Sequence, residues 1–232
     1  MPGQDLGCGP WHAKLPGLGR CGRIQRMISV EEKKAQCIEA MGLELGAMYS
    51  DLNDHLLEVL LAWRQYEQLF AVDEETVQLL NKSAPAFFGV VQAQLWDSVM
   101  LGISRLTDRP VSFGNKTLSI QALPEMIDDA EVKSAVEIAL AKALSDADFA
   151  RTHRNKRIAH NDLVHVQDRA GNALPGASRE KIRAGLKSII GVLEILNGHY
   201  RESTMLYDDV ISDAGAARLV AILRKSMGYE PL

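Results

Sequence analysis

Apolar residues recur along the chain at steps of three and four. Leu52, Leu56, Val59, Trp63, Tyr66 and Phe70 form the clearest series, the seam of an amphipathic helix that expects a partner helix. Ile182, Leu186, Ile189, Leu193, Leu196 and Tyr200 form a second seam of the same kind. Between them, Phe88, Val91, Leu95, Val99, Gly102 and Leu106 mark the core side of a third helix, from about Pro85 to Thr107. Proline is tolerated in a first helical turn, where its missing N–H has no partner to lose.

Polar residues punctuate these helices. Ser29 and Glu32 have the spacing of a capping box, so a long helical stretch starts there, with Gly42 and Gly46 marking a kink or a close approach. Asp73 caps a short segment through Leu80, and Asp108-Arg109-Pro110 ends the third helix. Arg105 and Asp108, three apart, are spaced to pair. Residues 109–117 read as a loop, and Leu118 to Asp128 as a short helix interrupted by Pro124. Glu131 to Leu144 is rich in strong helix formers. Ser145 to Asp148 resembles another cap, opening a helix that ends near Asn161 to Leu163. Val164-His165-Val166 carries the one weak strand signal. Ser178 caps the second seam, and a last helix spans roughly Asp213 to Met227, closing at Gly228. The pattern predicts an all-α antiparallel bundle over residues 29–232.

Residues 1–28 break the pattern. They are dense in Gly and Pro and lack periodicity, so they read as a disordered or non-native N-terminal extension. Met27 directly precedes the first cap, and mass spectrometry of the native N-terminus tests whether translation starts there. Lys14, Arg20, Arg23 and Arg26 against Asp5 give this segment a net charge of +3, leaving −7 for the remainder of a chain that totals −4. An acidic body is not built to attract nucleic acid over its whole surface, so any such contact is local. The three cysteines, Cys8, Cys21 and Cys37, form no C-x-x-C pair, which argues against a disulfide framework or a Cys8/His12/Cys21 metal site and for a reduced, cytoplasmic setting. No apolar run reaches the roughly 18 residues of a membrane helix, and no signal-peptide core is visible.

One stretch stands out against the acidic body. Residues 148–162, D-F-A-R-T-H-R-N-K-R-I-A-H-N-D, gather Arg151, His153, Arg154, Lys156, Arg157 and His160. Metal-free RNA cleavage needs such parts. The ribose 2′-OH must lose a proton, which histidine can carry near neutrality, and charge growing on phosphoryl oxygens is met by arginine. At about 100° per residue, Arg154 and His160 lie about 120° apart on an ideal helix, and Arg157 about 60° from His160. Long side chains or a second copy of the motif are needed to bring them together. The bland alternative is a helix C-terminus whose cations favour the dipole and pair with the acidic remainder.

Arg154-Asn155-Lys156-Arg157-Ile158-Ala159-His160 resembles the signature of the HEPN superfamily: Arg, four to six residues, then His, often with a polar residue after the Arg. The tail Arg-Ile-Ala-His-Asn-Asp is similar to the AbiU-like branch, linked to phage abortive infection. Leu95-Trp96-Asp97-Ser98, Ile103-Ser104-Arg105-Leu106-Thr107-Asp108 and Leu118-Ser119-Ile120 resemble the preceding segments of that branch, so the likeness covers roughly residues 30–205. It implies a HEPN-type bundle that dimerises across a cleft and a metal-independent endoribonuclease leaving a 2′,3′-cyclic phosphate, with no cofactor and no metal. On that pattern Arg154 contacts phosphate, Asn155 orients the site and His160 is acid or base, while Lys156, Arg157 and Arg151 are secondary contacts to RNA. RNA, a second copy of the chain and an antitoxin or regulatory protein are the implied partners, and no membrane.

Other members of the superfamily are inactive. A non-catalytic interaction module that binds RNA or a protein is therefore the rival expectation, and a helical scaffold without nucleic acid the third. Trp63 and Trp96 fall at core spacing. His55 and His199 lie on helices with no role assigned.

Overall fold

Ser29 opens the first helix through a complete capping box, its hydroxyl accepting from the Glu32 N–H while the Glu32 carboxylate accepts from the Ser29 N–H. The computed structural model describes residues 29–112, 114–155, 176–203, 205, 207 and 215–228. The extension 1–28 with its cysteines, the motif residues Lys156, Arg157 and His160, and the Val164–Val166 arm lie outside the described residues.

Helix α1 (Val30–Met41) ends at Gly42, whose φ of 85° an L side chain would resist. Helix α2 (Leu43–Phe70) starts at the next residue and runs back along α1. Lys33 to Asp54 at 2.6 Å and Lys34 to Asp51 at 2.7 Å pair across this hairpin. Gly46 makes the close approach: a Cβ there would stand 2.4 Å from the Cys37 carbonyl oxygen. The long helical stretch is thus two antiparallel helices.

Helix α3 (Glu74–Ser83) is capped by Asp73, which accepts from the Thr76 N–H at 2.6 Å. Helix α4 (Pro85–Leu106) begins on its proline and lies antiparallel to α2. Gly102 meets Val59, and Tyr66 meets Trp96 with ring centroids 5.3 Å apart. By length and composition α4 is apolar enough to cross a membrane. It is no unbroken apolar run, since Gln92, Gln94, Asp97 and Ser98 interrupt it. In the fold α4 packs on α2, α3 and further helices.

The loop after α4 contains a two-residue antiparallel ladder, β1 (Val111–Ser112) with β2 (Asn115–Lys116), turned at Gly114 with φ 81°. The Pro124 segment is a 3-10 helix, Ile120–Met126, opened by Ser119. Helix α5 (Ala130–Asp146) then runs antiparallel to α7 (Arg179–Arg201). Asp146 accepts from the Ser188 hydroxyl, and the two helices approach closely where Gly185 faces the Asp146 carbonyl. Helix α6 (Asp148–His153) follows α5 after one residue. Its N-cap is Ala147, with no side-chain bond, so the expected cap is a bare turn. Helix α8 (Ala216–Ser226) meets α2 at its start, where the Ala216 N–H donates to Gln65 Oε1 at 2.6 Å, and α3 through Arg224, which is 4% exposed and donates to Glu75 at 2.8 Å and to the Thr76 hydroxyl at 3.1 Å.

The described residues are mostly α-helical, an all-α bundle. Both sequence seams are buried up to their last residues, Phe70 and Tyr200, which are half-buried. Leu52, Leu56, Ile182, Ile189, Leu193 and Leu196 are fully inside, each contributing about 1.5–3 kcal/mol by leaving water. Trp63 and Tyr66 stack within the same core.

Candidate functional site

The site is built on the last turn of α4. A helix C-terminus leaves carbonyls without partners, and here polar groups distant in sequence meet them. The Thr107 hydroxyl turns back onto the Ile103 carbonyl at 2.8 Å. The Thr107 carbonyl accepts from Gln121 Nε2 at 2.8 Å and from Arg151 Nη1 at 3.1 Å. The Asp108 carbonyl accepts from the Ser119 hydroxyl. Leu106, Thr107 and Ser119 are buried, so the 3-10 segment and α6 are bolted to α4 at one place.

Arg151 and Arg154 sit side by side on this anchor. Nη2 of Arg151 donates to the Leu144 carbonyl at 3.1 Å and approaches Asp148 at 3.4 Å. The side chain thus bridges α4, α5 and α6, and contact with RNA would compete with those carbonyls. Arg154 continues the helical backbone at φ −56° and ψ −51°. Its Nη1 donates to Asp108 Oδ2, and its Nε donates to Asn155 Oδ1 at 3.1 Å. Asp108 therefore pairs with the motif arginine, not with Arg105 on its own helix. Among the described residues, Nη2 of Arg154 has no partner.

The Arg154–Asp108 pair is partly desolvated, the side chains being 24% and 26% exposed. Asn155 is exposed. His153, between the two arginines, is buried and belongs to the packing side of α6. The structure thus brings Arg151, Arg154 and Asn155 together beside Asp108. It does not describe Lys156, Arg157 or His160.

Asp108 also lines a groove of about 300 Å3 with His55, Arg105, Thr117 and Leu118. Sequence reading missed His55, which sits beside the α2 seam and shares no motif with the basic stretch. It likewise assigned Asp108 to Arg105, since only the fold brings Asp108 to a residue 46 positions later. Among the described residues, no group of three His, Cys, Asp or Glu side chains could hold a metal ion.

The HEPN_AbiU2 family model, described as AbiU2, matches residues 42–219, from Gly42 into α8. No curated protein and no solved structure matches the chain.

Proposed function

The chain belongs to the HEPN AbiU2 family, and from that premise we propose that it is a metal-independent endoribonuclease acting in phage defence or as a toxin. The observation that carries this reading is the state of Arg154. Two of its nitrogens are anchored, on Asp108 and Asn155, and Nη2 has no partner among the described residues. A guanidinium held that way presents its remaining N–H groups in a fixed direction, as stabilisation of a phosphoryl oxygen requires.

In the proposed reaction the ribose 2′-oxygen attacks the adjacent phosphorus. A P–O2′ bond forms and the P–O5′ bond breaks. The 2′ proton passes to a base and a proton is delivered to the departing 5′-oxygen. His160 is assigned to proton transfer by the motif, Arg154 to the non-bridging oxygens, and Asn155 to orientation. Lys156 and Arg157 are assigned to the RNA backbone. The protein would work in the cytoplasm as a homodimer, with an antitoxin or regulatory protein as a further partner.

The test is cleavage of an end-labelled mixed RNA pool in EDTA, beside His160→Ala. Cleavage lost in the variant, with 2′,3′-cyclic phosphate ends, is expected. Equal cleavage by both would remove His160 from the mechanism. The Arg154–Asp108 ion pair favours one second reading, a non-catalytic HEPN interaction module in which the arginine serves the fold. RNA binding without cleavage by the wild type would favour it.

A further inference from the structure

Helix α7 gives one face to the core and leaves the opposite face uncovered. Ile182, Leu186, Ile189, Leu193 and Leu196 are buried, while Ala184, Lys187, Gly191, Glu194 and Gly198 follow one another on the outer side at steps of three and four. Lys187, Gly191 and Glu194 line one groove together, which sets them on one side of the helix. That groove, about 590 Å3 between α7 and α2, has Leu60, Trp63, Ile190 and Met205 in its wall. A second groove, about 450 Å3 between α7 and α5, shares Lys187 and Gly191 and adds Ala139 and Ile195. The outer side of α7 is therefore a ridge between two partly apolar grooves. The ridge is low, because Ala184, Gly191 and Gly198 recur on it every seventh residue, and a Cβ on Gly191 or Gly198 would meet nothing within 4 Å.

The charges on this ridge match those of a second α7 running the opposite way. Lys187 and Glu194 are both exposed and in no ion pair among the described residues, whereas neighbouring Arg183 is held by Glu67 at 2.6 Å. About 10.5 Å of helix separates Lys187 from Glu194, too far for one to neutralise the other. Gly191 lies nearly midway between them. In an antiparallel pair of α7 helices centred there, Lys187 of each copy stands within about 1.5 Å, one residue's rise, of the level of Glu194 in the other, and Ala184 stands level with Gly198. A single two-fold axis thus creates two contacts between opposite charges, where a parallel pair would set like charges side by side. Small residues at heptad spacing let the two backbones come close. We propose that this face of α7 is the contact with a second copy of the chain, an antiparallel helix pair about Gly191 whose flanks enter the two grooves. One cation balanced by one anion holds no attraction for a polyanion, so the face does not suit nucleic acid. The assignment gives the homodimer named above a definite face and does not depend on RNA cleavage.

The experiment follows the full chain by sedimentation equilibrium over the micromolar range, where the wild type is expected as a dimer. Gly191→Arg places a long side chain on the axis, in space that the single chain leaves open, and raises helix propensity. It is expected to give a folded monomer. Lys187→Glu and Glu194→Lys each set like charges level at both contacts, and each alone is expected to weaken association by about tenfold or more. Mixed in equal amounts, these two variants regain opposite charges at both contacts, so a mixed dimer of near wild-type strength is expected. Recovery on mixing is a result that an interface on another helix would not give. A monomeric wild type would overturn the proposal. A dimer that survives Gly191→Arg unchanged would also overturn it, by moving the interface elsewhere, and would leave the ribonuclease reading standing. Weakening by the single variants without recovery on mixing would overturn the antiparallel register.

Discussion

Asp108 and Arg154 are 46 residues apart in the chain and joined by a direct ion pair, the carboxylate at the end of α4 holding the guanidinium at the end of α6. If the carboxylate aims Arg154, Asp108→Asn should lower kcat by about tenfold to a hundredfold, the usual effect of loosening a group that must be positioned, with KM changing less. Single-turnover kinetics check it. A rise in rate would mean instead that Asp108 withholds Arg154 from substrate. Arg154→Lys should fare no better than Arg154→Ala, since a single ammonium cannot reproduce the fork that joins Asp108, Asn155 and phosphate.

Arg151 is expected to behave differently from its neighbour. Its terminal nitrogens are bonded to the Thr107 and Leu144 carbonyls. Arg151→Ala should therefore destabilise the fold by about 1–3 kcal/mol, the cost of leaving polar groups without a partner. The urea midpoint should fall by the corresponding amount. Loss of RNA affinity with an unchanged midpoint would return Arg151 to the RNA-binding surface.

The contrast shows what a sequence can carry. The helices were legible because burial repeats every three or four residues, and caps such as Ser29, Asp73 and Ser178 use local hydrogen bonds that spacing reveals. The break at Gly42 was visible as a glycine, but not as a reversal of direction. The motif drew attention to Arg151, Arg154 and Asn155 together. The different tasks of the two arginines were hidden, because Arg151 is set by the Thr107 carbonyl and Arg154 by Asp108, both far away in the chain. His55 left no local signal, since its meaning comes from a groove formed by other elements.

Gly46→Ala tests the α1–α2 contact. The added methyl would meet the Cys37 carbonyl and the Ile38 Cα, both backbone atoms that cannot rotate aside. A loss of about 1–3 kcal/mol is expected from such overpacking, measured by denaturation. Gly191→Ala, whose Cβ meets nothing within 4 Å, is the control and should be neutral or slightly stabilising.

Acid sensitivity should involve the Asp73 cap. The Thr76 N–H, then its hydroxyl, and more weakly Arg224, hold the Asp73 carboxyl below its ordinary value of 3.8. A carboxyl lowered on folding contributes stability above its unfolded pKa, and that contribution is lost as pH falls through the folded value. Between pH 5 and pH 2, roughly the range over which such groups protonate, wild type should lose stability more steeply than Asp73→Asn. Asparagine still caps the helix but does not titrate. Parallel urea midpoints across that range would exclude Asp73 as a contributor.

Gly42 has a further consequence. Helix α1 is attached through that single residue, packs mainly on α2 and touches α7 lightly, while the Arg154 anchor is made by α4, α5 and α6. The first helix is therefore free, in topological terms, to swing out as its own opening unit. Cys37 sits on its inner face, fully buried, and burial raises its thiol pKa. With Cys8→Ser and Cys21→Ser in place, the rate at which a thiol reagent labels Cys37 becomes a clock for that opening, read without disturbing the residues proposed to meet RNA.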